Sequence, residues 1–417
     1  MTIDTAASKK VQEPSALDYY AIEEKLLTED EKLARDSARQ FVEREILPHI
    51  KRWDSGNTSP YPDGEALVRD VAKKLAASVS LYGATLPGLG DIVGDSFIAM
   101  TPTAYGLCMR ELERGDSGVR SFASVQSGLG MYAIHSYGSP EQKKRWLPAL
   151  YRGEKLVCFA LTEPSGGSEP NEMHTTASKS GGGWILNGDK VWITNGFADV
   201  AVVWARTSEG IRGFLVEKGT PGFSVRHEEK WALRAGIASS LSFVNCRIPA
   251  GNLLPKTVSP AGKDNANFLR CLSEARYGIV WGAVGAARAC LLETIEFCRG
   301  RRLFGQPLAA KQKTQDKLVW MLNEIENASL VAFQLGRLKG EGRLSHAHVS
   351  LAKYNNVAKA VEVAQLAVDT LPADVFTFEA YHSGRHLRNL QVVKKYEGAH
   401  EVHMLVVGRA ITGHAAF

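Results

Sequence analysis

Apolar and polar positions along the chain follow two different periods, and the changes between them divide it into three parts. Thr28 and Glu31 have the spacing of a capping box, and Leu33, Ala34, Ala38, Phe41, Val42 and Ile46 then recur at helical spacing until Pro48. Further amphipathic stretches run over 66–81, 104–114 and 142–151, broken by the Gly/Pro-rich tract 86–94. The pattern predicts an all-helical N-terminal region over residues 1–155.

The period changes at Lys155. Residues 156–161, 183–186, 190–194, 201–205, 213–217 and 241–245 are short runs rich in aromatic and β-branched side chains, the mark of strands. Asn187-Gly188, between two of them, predicts a type I′ hairpin, and the density of turns from Gly181 to Gly222 predicts an antiparallel sheet or barrel over residues 156–262. From about Lys263 the helical period returns over 268–299, 312–338, 347–371 and 401–412. Four such stripes can bury one another as a four-helix bundle over residues 263–417. The expected fold class is therefore α+β and multidomain: helices, an antiparallel β-barrel, then a helical bundle.

Composition changes this picture little. A chain of 417 residues outgrows a single core, and 44% hydrophobic with 23% charged residues is ordinary for a globular protein. The net charge of +5 is spread over 50 basic and 45 acidic side chains without long runs, which argues against nucleic acid as a partner and suits at most a small anionic ligand. Cys108, Cys158, Cys246, Cys271, Cys290 and Cys298 form no CxxC pair, so reduced thiols are expected rather than a disulfide or metal framework. Residues 1–16 lack an apolar export core, and no stretch elsewhere reads as apolar for long enough to span a bilayer. The expected location is the cytoplasm, without stable membrane insertion.

Chemistry is concentrated in a few segments. Residues 161–169, LTEPSGGSE, end a strand in a Gly-rich turn that can offer N–H groups and hydroxyls to a polar ligand or be a plain turn. Residues 190–196, KVWITNG, place Trp192 and Thr194 on one strand face, a pattern that also suits core packing. Together the two segments resemble the LTEP…GS and WITNG signatures of the acyl-CoA dehydrogenases. That resemblance implies FAD packed on the middle domain, with Thr162, Ser168, Trp192 and Thr194 contacting the flavin ring or the acyl-CoA beside it. Residues 301–312, RRLFGQPLAAKQ, resemble the family's RxxFGxxLxxxQ element, which implies that Arg301, Phe304 and Gln312 reach the FAD of a neighbouring subunit in a homotetramer. The charge of Arg301 suits a pyrophosphate.

Residues 395–403, KYEGAHEVH, resemble the YEG(T)H(D) segment of glutaryl-CoA dehydrogenases, which implies Glu397 as the catalytic base with Tyr396 beside it. Residues 111–127, ELERGDSGVRSFASVQS, resemble the glutaryl-type ELERxDSGxRSxxSVQS, in which Arg120 and Ser121 imply an anionic acyl tail. A buried Arg needs a counter-charge. Glu113 can be that partner, or both residues can face the pocket and leave Arg120 to a substrate carboxylate. Residues 275–278, ARYG, imply that Arg276 lies near the CoA adenosine. The resemblance thus implies flavin-dependent α,β-dehydrogenation of a dicarboxylyl-CoA thioester. Glutaryl-CoA, decarboxylated to crotonyl-CoA, is the nearest fit, with electrons passing to an electron-transfer flavoprotein.

Three departures keep rivals open. An apparent insertion over 86–100 near the pocket entrance motivates another carboxyl-bearing acyl-CoA, of substituted succinyl or pimeloyl type, or oxidation without decarboxylation. Residues 371–378, LPADVFTF, replace a Gly-rich GGNG turn, and Ala399 replaces a Thr. Pro372 has no N–H to offer, and Asp374 adds a negative charge near two phosphates. These changes motivate a flavin-poor relative that only binds acyl-CoA or performs redox-neutral chemistry.

Overall fold

The computed structural model describes residues 18–55, 64–258 and 266–416; residues 1–16, read above for export signals, lie outside them. Among the described residues the N-terminal part consists of helices and loops, without a strand. Helix α1 (Glu29–Phe41) starts at the expected capping box, with Thr28 accepting from the Glu31 N–H and Glu31 from the Thr28 N–H. It is followed by α2 (Gly64–Val79), α3 (Pro102–Gly115), α4 (Ser117–Ser124) and α5 (Pro140–Tyr151).

The middle part is a seven-stranded sheet of β1 (Val157–Ala160), β2 (Thr176–Ser180), β3 (Gly183–Thr194), β4 (Val200–Thr207), β5 (Gly210–Glu217), β6 (Phe223–His227) and β7 (Ala238–Pro249). Its pairing is mixed, not antiparallel throughout, because β1 and β2 both run parallel to β4. The hydrogen-bonded path β1-β4-β2-β3-β7-β6 is open, with β5 on the other side of β4. The hairpin expected at Asn187-Gly188 is corrected. Those residues lie inside β3, at a bulge where Gly188 has φ 139°, and the β2–β3 turn is Gly181-Gly182, both with positive φ. A Cβ on Gly188 would meet the Cα of Thr175 at 2.7 Å, so glycine serves close approach there.

The C-terminal part has three long helices, α6 (Ala266–Gly300), α7 (Gln312–Gly340) and α8 (His346–Val368), and two shorter ones, α9 (Ser383–Val393) and α10 (His400–Thr412). Among the described residues these are five elements where four were expected. Asn267–Gly300 is long and apolar enough to cross a membrane, contrary to the sequence expectation. Its apolar side chains are mostly buried within the molecule, Ile279, Val280, Trp281, Ala283 and Val284 among them. Helix α6 is central: one side joins the core shared by the N-terminal helices and the sheet, and the other joins the core of α7, α8 and α9.

Candidate active site

After α9 the chain turns through residues 394–399 into α10, with Glu397 at φ 52° and Gly398 at φ 100°. The left-handed region costs a non-glycine residue roughly 1–2 kcal/mol, so other elements must hold the turn. Lys353 of α8 directs its Nζ at three successive carbonyls, those of Tyr396, Glu397 (3.3 Å) and Gly398 (2.8 Å). Arg276 of α6 donates Nε–H to the Glu397 carbonyl at 2.6 Å. Glu397 keeps part of its surface open, while its Oε2 is buried without a partner. Burial pushes its carboxyl above the usual carboxylate range, and the cations Arg120, Lys353 and Arg276 oppose that rise. A desolvated carboxylate with a free oxygen is the requirement for a general base.

Arg120 enters from α4 and Glu113 from α3. Both side chains are fully buried, and Arg120 Nε donates to Glu113 Oε2 at 2.6 Å. Arg120 Nη2 donates to the Tyr396 hydroxyl, which ties the pair to the residue before Glu397. Of the two partners open in the sequence, the fold supplies Glu113. It leaves Arg120 Nη1 and Glu113 Oε1 without partners. The pair fits against α6 because position 282 is glycine: a Cβ there would stand 2.0 Å from Glu113 Oε2. Ser121, also buried, follows on the same helix.

A second set of expected residues gathers at the sheet. Thr162, Gly166, Gly167 and Trp192 line a cavity of about 400 Å³. Trp192 is 61% exposed and has φ 59°, because β3 bulges between Lys190 and Ile193. Strict alternation from Lys190 is therefore broken: Lys190 is fully buried on Glu163 at 2.8 Å, while Trp192 stands outward and Thr194 is half-buried. Ser168 is exposed beside Gly167, and neither N–H bonds a carbonyl among the described residues. An outward Trp ring beside free N–H groups fits a flat, hydrogen-bonding ring system such as the flavin of FAD.

Arg301, Phe304 and Gln312 are not brought to this centre. They lie beyond the far end of α6 from Arg276, roughly 36 Å along the helix axis. Arg301 is exposed and Phe304 is 97% exposed. Residues 373–376 form a 3₁₀ turn in which the Val375 and Thr377 N–H groups bond the carbonyls of Pro372 and Asp374, so they are spent within the chain. Three residues around Glu397 went unread in the sequence: Lys353, His403 and Tyr105. His403 Nδ1 lies 3.1 Å from Ser350 Oγ, and the buried Tyr105 hydroxyl is unpartnered. The one available signal was polar residues at helical spacing, Ser350, Lys353 and Asn356, where the inward stripe of α8 calls for apolar ones.

A desolvated carboxylate on a strained turn, a buried guanidinium near it and an outward Trp ring on an adjoining sheet are the parts that a flavin-dependent acyl-thioester dehydrogenase requires. Sequence models of the acyl-CoA dehydrogenase N-terminal, middle and C-terminal domains match residues 28–154, 158–246 and 266–412. The chain belongs to the acyl-CoA dehydrogenase family, FAD-dependent oxidoreductases acting on the CH–CH bond of acyl-CoA. Among solved structures it resembles glutaryl-CoA dehydrogenase from Mycobacterium smegmatis at 45% identity, with TM-score 0.89 and coverage of 97% of this chain and 100% of that one. A second such structure, in complex with FADH2, matches at 42% identity, TM-score 0.89 and the same coverage. A glutaryl-CoA dehydrogenase in complex with glutaryl-CoA matches at 30%, with TM-score 0.83 over 93% and 96% of the two chains. The short-chain specific acyl-CoA dehydrogenase of Rattus norvegicus is 31% identical over 91% of this chain and 90% of its own length. Glutaryl-CoA dehydrogenase of Desulfococcus multivorans is 30% identical over 91% and 96%.

Proposed function

We propose that this enzyme oxidises a dicarboxylyl-CoA, glutaryl-CoA first among them, and that the oxidised thioester loses CO2 to give crotonyl-CoA. The observation that carries the reading is the unpartnered Nη1 of a fully buried Arg120, held by Glu113 and Tyr396 next to the free oxygen of Glu397. A guanidinium so fixed has the N–H groups of Nη1 left for a carboxylate at the far end of the acyl chain.

Glu397 takes the α-proton, and the thioester oxygen needs donors as negative charge develops on it. The Glu397 N–H makes no backbone bond among the described residues and can be one of them. FAD, which Thr162, Ser168, Trp192 and Thr194 would hold, would supply the two-electron oxidant for the β-hydrogen. The resulting glutaconyl thioester is a vinylogous β-keto acid. Loss of CO2 leaves a dienolate, and protonated Glu397 can return its proton to the γ-carbon. Electron-transfer flavoprotein as acceptor, a homotetrameric assembly and a cytoplasmic location belong to the same proposal.

A second reading, a longer or substituted dicarboxylyl chain, is favoured by the loop before α3. The Gly83 N–H bonds Ser127 Oγ at 2.9 Å, which joins that loop to the segment carrying Arg120. Turnover assays for crotonyl-CoA and CO2 with glutaryl-, pimeloyl-, methylsuccinyl- and butyryl-CoA decide. The account expects glutaryl-CoA to give both products. Preference for butyryl-CoA over every dicarboxylyl-CoA would contradict it.

A further inference from the structure

We infer that Lys353 is a positioning residue for the base: it fixes the left-handed turn that presents Glu397, and it lends positive charge without neutralising the carboxylate. The inference rests on the reading of Glu397 as the base. An ammonium has three N–H donors, and Lys353, 2% exposed, has three acceptors in the carbonyls of residues 396, 397 and 398. Three successive carbonyls converge on one point because residues 397 and 398 both take positive φ. Without a cation at that point their dipoles would repel, and the turn would lose the interaction that favours it over an extended path.

The lysine is held as firmly as the turn it holds. Asn356, one helical turn further along α8, donates Nδ2 to the Val280 carbonyl of α6 (3.3 Å) and the Ala328 carbonyl of α7 (3.0 Å). Ser350, one turn earlier, meets His403 of α10. The line Ser350–Lys353–Asn356 thus ties α8 to every C-terminal element around the base except α9. A side chain needed only to fill this space would be apolar, since an unpaired buried ammonium is costly.

Lys353 makes no ion pair with Glu397, whose Oε2 stays free. The charged groups facing that carboxyl are Arg120 from α4, Arg276 from α6 and Lys353 from α8. Tyr105, Tyr396 and His403 complete the surroundings, and burial keeps all three neutral. Burial pushes Lys353 itself down to about 7, with the charge of Glu397 opposing that fall, so its positive charge is fullest on the acid side of that pH, and loss of this cation raises the proton affinity of Glu397 there. The acid limb of the rate profile, below which the base is protonated, then moves to higher pH.

The test compares Lys353→Met and Lys353→Gln with the parent as flavin-loaded assemblies. Anaerobic single-turnover bleaching by glutaryl-CoA and by butyryl-CoA is followed from pH 5.5 to 8.5, and the dissociation constant of crotonyl-CoA is measured alongside. The expected result for Lys353→Met is roughly a tenfold to hundredfold slower bleaching, the range for a misplaced reacting group. Its acid limb should be displaced upward and its crotonyl-CoA affinity should stay within about threefold of the parent. Lys353→Gln, which keeps two N–H donors, should recover part of the rate. Parent-like rate and acid limb in Lys353→Met would overturn the inference, and so would failure of both variants to fold with flavin, since the lysine would then serve the fold alone. Glu397→Gln is the control: bleaching at the parent rate in that variant would remove the base itself, a failure separate from that of Lys353.

Discussion

Substrate choice turns on the charge state of one buried pair. Arg120→Met removes the donor for a distal carboxylate, which is expected to lower kcat/KM for glutaryl-CoA by roughly 30-fold to several thousand-fold. It also strands Glu113, and breaking a buried pair costs about 3–5 kcal/mol. Stability loss could then imitate a specificity effect. The double variant Arg120→Met/Glu113→Gln separates the two, because the remaining side chain carries no charge. The double variant is expected to regain thermal stability over the single one, to handle butyryl-CoA near the parent rate above an acid limb displaced upward by the lost cation, and still to fail with glutaryl-CoA. Equal losses for both substrates in the stable double variant would make Arg120 purely structural.

At the scale of elements, the site depends on how closely α3 and α6 approach. A Cβ at Gly285 would stand 1.9 Å from the Arg110 carbonyl oxygen, and one at Gly106 would stand 2.3 Å from the Trp281 ring. Overpacking of this kind costs typically 1–3 kcal/mol, more where backbone must move. Gly285→Ala is therefore expected to lower the urea midpoint and, by separating α3 from α6, to slow flavin reduction; an unchanged midpoint would show that the crossing adapts. Helices with one apolar stripe, such as α1, α7 and α8, were legible because their period is set by one buried face. Helix α4 was read only as a motif, since it is two turns long and buries its polar residues, Ser117, Arg120, Ser121 and Ser124, along with its apolar ones. Helix α9 escaped because four of its six buried residues, Ser383, Arg385, His386 and Asn389, are polar: Arg385 Nη1 bonds the Gly115 carbonyl and Asn389 Nδ2 bonds Asp116 Oδ2 at 3.0 Å. The Glu397 turn and the Arg120–Glu113 pair were readable as local motifs. Lys353 was not, because its role exists only once α8 meets a turn more than forty residues away.

The molecule as a whole exposes Phe304, Trp231 (70%), Phe376 (77%) and Ile411 (79%). Of these, Trp231 and Phe376 line one cavity together, and contiguous exposed apolar surface, unlike single side chains, is a mark of contact with further subunits. Light scattering is expected to give about four times the 45.5 kDa chain mass; a flavin-loaded monomer would contradict the proposed tetramer. Stability should also depend on pH. Burial pushes His382 down to about 4 and His403 to about 3, and holds His386 well below its ordinary value near 6.5. The folded state keeps these rings neutral, whereas the unfolded chain takes up protons below about 6.5. Stability is complete above that pH and falls as pH drops from about 6.5 toward 4, by about 1.4 kcal/mol per pH unit for each proton bound only on unfolding. Urea midpoints at pH 7.5, 6 and 5 should decline in that order, and a flat series would mean that the rings are hydrated.

The most direct measurement is anaerobic mixing of glutaryl-CoA with the flavin-loaded parent and with Glu397→Gln. An amide keeps the shape of the side chain and removes the base. The account predicts rapid bleaching of the flavin band in the parent and none in the variant, with acyl-CoA binding retained in both. Bleaching of the variant at near the parent rate, or none in the parent, would contradict it.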